Sequence, residues 1–208
     1  MGRTSDARER LLAAAADLMH QRGYAAIGVA EICARADVRK GSFYHFFPSK
    51  EALTVAAIDA YWDAQRPAWL AERDRAAAPE ARLEALIGAQ LAGQRAYREA
   101  TGNLGGCLLA NVGIELTDRE PLVRDRIQQI FAEQTTIVTD IVAETGAQSP
   151  DTTARAVLAQ LEGSLLFAKL HNDPTLLDRV WEQTRRLLDT DDLPLRVGGG
   201  TDLTRRHS

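Results

Sequence analysis

The stretch Val38-Arg39-Lys40-Gly41-Ser42-Phe43-Tyr44-His45-Phe46-Phe47 decides how this chain is read. Two cations and a small, flexible pair stand at its start. An aromatic block with one His follows, and Pro48-Ser49-Lys50 closes it. Phe43, Phe46 and Phe47 stand at i, i+3 and i+4, so on a helix they share a face that can anchor to a core. The polar N-terminal end is then free to meet a nucleic acid. The alternative is a turn followed by a buried helix.

The flanks favour the first reading. Upstream, Val29, Ile32, Cys33 and Ala36 follow i, i+3, i+4, i+7, the pattern of a short amphipathic helix. Asp37-Val38 between the two is a connection of helix-turn-helix length. Downstream, Ser49 can cap a new helix beginning Lys50-Glu51-Ala52-Leu53.

Gly23-Tyr24, Val29-Ala30-Glu31-Ile32, the Val38–Phe47 stretch and Ser49-Lys50-Glu51-Ala52-Leu53 together resemble the DNA-binding domain of the tetracycline-repressor (TetR) family, over residues 5 to 55. The sequence departs from the family in three places. Ile27 and Gly28 stand where many members have Thr and Ser, which removes a cap or phosphate contact. Asp37 replaces the usual Gly of the turn, and Asp tolerates the left-handed conformation. Arg39 replaces a small hydroxyl residue, a change that alters base preference. The resemblance implies a ligand-released, homodimeric repressor that binds double-stranded operator DNA of pseudo-palindromic sequence. Its fold would be all-α. An N-terminal helix-turn-helix domain (1–50) would precede a helical ligand-binding and dimerisation domain (51–189) and a flexible tail (190–208).

Composition agrees with a packed protein: 45% of residues are hydrophobic. No apolar run approaches the roughly 20 residues of a membrane span, so no membrane partner is expected. Arg8, Glu9 and Arg10 interrupt any signal-peptide core, which points to the cytoplasm. Cys33 and Cys107 stand in different segments and suggest no disulfide scaffold. The net charge of −4 argues against a nucleic-acid partner, but its distribution does not. Residues 1–50 hold eight Lys/Arg and five Asp/Glu, a net of +3; the remainder holds seventeen and twenty-four, a net of −7. A basic head on an acidic body suits local phosphate binding.

Along the chain, Ser5 or Asp6 can cap a first helix, with Arg3 ahead of it as a phosphate contact, and Gly23 ends it. A fourth helix is expected over 50–74. On it Leu53, Ala57 and Tyr61 face the small domain, Ile58, Trp62 and Trp69 face the larger, and Pro67 kinks it. Further helices are expected over 80–100, 108–116, 121–145 and 151–171, with a last one through Val180 and Leu188. Gly102, Gly105 and Gly106 make a tightly turning approach to Cys107, and the Lys-Ser/Thr ending of a phosphate loop is missing there.

The recognition segment supplies the DNA-binding candidates. Arg39, Lys40, Gly41 and Ser42 are placed for base edges and nearby phosphates, and Arg suits the paired acceptors of guanine. With the family resemblance, Tyr44 and His45 become phosphate or base contacts; the alternative is that they are core aromatics. Lys50 fits a backbone clamp at the N-terminus of its helix.

A ligand site is expected around Cys107. A helix N-terminus lowers a thiol's pKa, and Gly106-Cys107-Leu108-Leu109-Ala110-Asn111 resembles the family branch that includes sensors of electrophiles and α,β-unsaturated compounds. That makes Cys107 a candidate sensor, with Asn111 beside it; the alternative is a buried, inert Cys. Trp62, Trp69, Tyr97, Phe131 and Phe167 are candidates to line the cavity, or plain core. The effector would be a small apolar or electrophilic molecule. Leu158, Leu161 and Leu165, with Val180, Trp181 and Leu188, carry more apolar surface than one domain hides and are the expected dimer interface. His20, His45, His171 and His207 are scattered without metal-ligand spacing, so no metal or cofactor is expected. A Cys107–His171 nucleophile pair lacks an oxyanion-hole signature, which leaves a Cys-based enzyme or a DNA-free ligand-binding protein as the alternatives.

Overall fold

A computed structural model describes residues 2–190, with side chains from 6 to 189. The expected tail beyond Thr190 and the Arg3 contact lie outside what is described. Nine α-helices and one 3-10 turn make up the regular structure of the described residues. They are α1 (Gly2–Arg22), α2 (Val29–Ala36), α3 (Lys40–Phe46), α4 (Lys50–Asp74), α5 (Pro79–Thr101), α6 (Leu108–Gly113), α7 (Pro121–Ala143), α8 (Pro150–His171), the 3-10 turn (Pro174–Leu177) and α9 (Val180–Thr190).

The first four helices position the candidate DNA reader. α1 begins at Gly2, earlier than the expected cap at Ser5 or Asp6, and ends at Gly23, whose φ is 81°. α2 starts after an extended Gly28 with no side-chain cap, so Ile27 serves as core instead. Asp37 takes the left-handed conformation (φ 51°) that the turn requires, and the Val38 N–H donates to Cys33 O at 2.9 Å. Phe43 and Phe47 are buried and Phe46 is half-buried, so the aromatic face anchors α3 as its spacing predicts. Ser49 Oγ accepts the Ala52 N–H at 3.0 Å and caps α4.

α4 continues through Pro67 and belongs to both halves of the molecule. It packs against α1 on one side and along α7 on the other. Polar ties run down the α4–α7 seam. The Leu122 N–H donates to Glu51 Oε1 at 3.0 Å, Arg126 pairs with Asp59, and Trp62 Nε1–H donates to Glu133 Oε2 at 2.8 Å. Arg66 pairs with that same Glu133. α8 packs on α7, and α9 folds back onto α8 and α5.

The head also meets the body directly: α1 packs on α6, and two polar contacts stand out. Glu115, just beyond α6, accepts the Ala25 N–H at 2.7 Å through its carboxylate. Gly23 is its neighbour: a Cβ there would fall 1.9 Å from Glu115 Oε1, at a backbone angle that side chains avoid. The second contact is His20 of α1. Its ring meets Tyr61 of α4 and Tyr97 of α5 edge-on, at centroid distances of 5.9 and 5.4 Å.

Burial, and after it the Lys169 cation, pull the His20 pKa from 6.5 to about 4, with Asp17 opposing. A folded pKa below the unfolded one gives stability that is complete above about 6.5 and is lost as pH falls toward about 4. His20→Gln is therefore expected to flatten the fall in urea midpoint across that window. Equal slopes for parent and variant would show that His20 protonates without cost to the fold.

Candidate nucleic-acid interface and ligand cavity

Arg39, Lys40, Gly41, Ser42, Tyr44 and His45 are all exposed. Tyr44 is 52% exposed while its neighbour Phe43 is 0%. That contrast separates a reading face from an anchoring face within one short helix. Arg39 stands at the N-cap in extended conformation with no side-chain cap bond, so its guanidinium is left for an outside partner. The arrangement places a cation pair and hydroxyl donors at the end of a helix that presents them to solvent, the geometry a major-groove reader needs.

Lys50 is engaged within the chain. Its Nζ donates to Tyr24 O at 2.6 Å and lies 3.9 Å from the centre of the Tyr24 ring. Burial draws its pKa down. The ammonium thus pins the α1–α2 loop to α4.

In the body, Cys107 and Asn111 share a cavity of about 230 Å³. Ala110, Ile114 and Leu166 supply its apolar walls, and Glu162 supplies one carboxylate. Asn111 is buried, and its Nδ2 donates to Gly105 O at 2.8 Å, which fixes the glycine-rich loop over α6. Cys107 caps α6, and the N–H groups of Ala110 and Leu109 do favour its thiolate. Burial and the Glu162 carboxylate outweigh them and push the thiol well above its ordinary value. Burial and the adjacent Glu162 thus oppose the thiolate that a helix terminus would favour. Glu162 itself is lifted by burial, and its Oε2 has no hydrogen-bond partner.

The aromatic cavity candidates separate. Trp62 and Trp69 stack edge-on at 5.5 Å and are buried, so they are core, and Trp62 also ties α4 to Glu133. Phe131 is partly buried against that core. Phe167 is 60% exposed and belongs to the surface of α8. Tyr97 lines cavities at the head–body joint instead.

The expected dimer residues divide. Leu158, Leu161 and Leu165 are buried within the single chain on the side of α8 that packs into the core, and Val180 at the start of α9 is buried too. The apolar surface left open on α8 is the adjacent face, with Leu166, Phe167 and Leu170 at 45%, 60% and 70% exposure. Trp181 and Leu188 on α9 are half-buried. Sequence reasoning missed Glu162, Glu115, Glu133 and Lys169. Each is a charged residue beside an apolar stripe, a signal that does not distinguish a buried partner from a solvated face. Among the described residues no His, Cys, Asp and Glu group stands ready to hold a metal, and no helix is long and apolar enough to cross a membrane.

Comparison with known proteins bears on both halves. Residues 11–57 match the family of bacterial regulatory proteins, tetR family, and residues 79–184 match the tetracyclin repressor-like C-terminal domain. The HTH-type transcriptional repressor DhaR of Mycobacterium sp. (strain GP1) is 30% identical over 183 residues, covering 83% of this chain and 87% of DhaR. The HTH-type transcriptional repressor NemR of Escherichia coli K12 is 34% identical over 124 residues, 54% of this chain and 55% of NemR. The crystal structure of reduced E. coli NemR superposes with a TM-score of 0.72 at 26% identity, covering 88% of this chain and 97% of that one. The regulatory protein TetR from Rhodobacter sphaeroides gives 0.76 at 29% identity over 87% and 98%.

The electrostatics of Cys107 make a prediction. Removing the negative charge with Glu162→Gln is expected to lower the thiol pKa and speed alkylation of Cys107 by iodoacetamide at mildly alkaline pH. Peptide mass spectrometry over a time course reads it, with Cys33 as the internal comparison. An unchanged rate would show that the carboxylate does not restrain the thiol.

Proposed function

The chain belongs to the tetR family of bacterial regulatory proteins and is a transcription regulator, not an enzyme; from that we propose a homodimeric repressor released from operator DNA by a small ligand. One observation carries the DNA half of the proposal. α3 is held from beneath by Phe43 and Phe47, while Arg39, Lys40, Ser42, Tyr44 and His45 stand open to solvent. Arg39 and Lys40 meet base edges and phosphates, and Tyr44 and His45 fix the helix on the backbone. The head and body divide within α4.

Dimerisation uses the open face of α8 together with α9. Leu166, Phe167 and Leu170 leave apolar surface that a second copy would cover. Gly163 lies on the same helix, and nothing stands within 4 Å of where its Cβ would be, so a partner helix can approach closely. A two-fold dimer sets two α3 helices in successive major grooves about 34–36 Å apart, the geometry of a pseudo-palindrome.

The effector occupies the cavity beside Cys107. A volume of about 230 Å³ with mostly apolar walls suits a small, largely apolar molecule. An electrophile there meets a thiol whose ionisation burial and the Glu162 charge oppose, so covalent reaction waits on relief of that restraint.

Fluorescence anisotropy with operator DNA tests the reading face. Tyr44→Ala is expected to weaken related sites alike, and Arg39→Ala to change sequence preference by about 1–3 kcal/mol. Unchanged affinity in both variants would remove α3 as the reader. For assembly, Phe167→Glu is expected to give folded monomers in light scattering. Leu165→Glu should instead unfold the chain, since it buries a charge in the core. A folded, dimeric Phe167→Glu protein would rule out this face.

A further inference from the structure

A different cavity, of about 600 Å³, lies where the head meets the body. His20, Gln21 and Arg22 form its wall on α1; Tyr97 of α5, Gly105 of the loop and Lys169 of α8 form the other. It does not include Cys107, and its lining is far more polar than that of the Cys107 cavity. Several of its groups lack what buried polar groups normally have.

His20 Nε2 is buried with no hydrogen-bond partner. The other nitrogen is pressed toward the loop: a Cβ at Gly105 would lie 3.1 Å from His20 Nδ1 and 3.1 Å from the Tyr97 ring. The Tyr97 hydroxyl, beside Gln21, is also buried without a hydrogen bond of good geometry. Lys169 is half-buried, and burial pulls its pKa down against the attraction of Glu115. Glu115 is already engaged by the Ala25 N–H at 2.7 Å. The other nearby cation, Arg22, is paired with Glu31.

One incompletely compensated cation, one unpartnered imidazole nitrogen and a phenol with only Gln21 beside it, all at a single cavity, describe a site with a missing partner. The partner's charge follows from the count. A single available ammonium matches a monoanion, whereas a dianion would bring excess negative charge beside Glu115. A carboxylate offers lone pairs enough for an ammonium, an imidazole N–H and a phenol O–H together.

We propose that this joint cavity binds a small organic carboxylate, held by the Lys169 ammonium with His20 and Tyr97 as hydrogen-bond donors. The ligand touches α1 of the head and α5 and α8 of the body at once. Its effect on DNA affinity rests on the repressor reading above; its binding does not.

Binding is measured on the full chain without DNA, by titration calorimetry and thermal shift at fixed pH and ionic strength. Acetate, butyrate, benzoate and octanoate are compared with the neutral amides of the same acids. At least one carboxylate is expected to bind and raise Tm, and its amide to do neither. Lys169→Met keeps the aliphatic stem and is expected to weaken binding about tenfold or more, corresponding to loss of a charge-assisted contact. Tyr97→Phe, which deletes only the hydroxyl, is expected to weaken it less, and supplies the answer if Lys169→Met does not fold. The proposal falls if no carboxylate binds, if the amides bind equally, or if folded Lys169→Met and Tyr97→Phe both bind like the parent. A failure to bind operator DNA would overturn the repressor reading and leave this site standing.

Discussion

A helix of seven residues has no stability of its own, and α3 is that short. Its existence depends on Phe43 and Phe47, which bury beneath it, and on the left-handed turn at Asp37, which aims it. The dependence continues outward. Three short helices bury too little surface to be firmly stable alone, so the head borrows α4. That helix is in turn fastened to α7 by Glu51, Asp59, Trp62 and Arg66. The orientation of the exposed cations on α3 is therefore set by packing in the body.

The same logic changes the view of Cys107. Position at a helix N-terminus favours a thiolate, but α6 is six residues long and its end is buried. Desolvation of the thiolate and a neighbouring carboxylate act in the opposite direction, and together they prevail. In the proposed repressor, a thiol so restrained would be quiet toward passing oxidants and would respond only when something in the cavity displaced or protonated the Glu162 carboxylate. Selectivity would then come from occupancy of the cavity before it came from thiol chemistry.

Much of this was legible in the sequence. The anchoring spacing of Phe43 and Phe47, the tolerance of Asp37 for a left-handed turn and the Ser49 cap are local facts, and all appear in the fold. Helix limits were nearly right because Gly23, Gly102, Pro121 and Asn172 mark them with backbone chemistry. What was missed shares a cause. The stripe through Leu158, Leu161 and Leu165 is apolar whichever way it faces, and only the packing of α8 shows that it turns inward while Phe167 turns out. Lys50 at a helix start looks like a phosphate clamp, and nothing local shows its bond to Tyr24. Glu115 lies ninety residues from Ala25 in sequence, and no local pattern announces a contact of that range.

The head–body joint also explains how a modest binding event can be felt at α3. Coupling between ligand and DNA is reciprocal and typically amounts to about 1–3 kcal/mol, a change of about 5- to 150-fold in affinity. The direct joint includes a carboxylate–amide hydrogen bond at Ala25 and a histidine between two tyrosines, beside the packing of α1 on α6. A hydrogen bond to a charged group contributes about 1.5–3 kcal/mol, and less where solvent reaches it. Losing or repositioning that one contact is thus commensurate with the whole coupling. α6 runs between the two places that matter, with Cys107 at its start and Glu115 just past its end. In the proposed repressor, a shift of this short helix along its axis, driven from the cavity at one end, would act on the Ala25 amide at the other. The thick α4–α7 seam need not break for the two recognition helices of a dimer to leave the spacing that successive grooves demand.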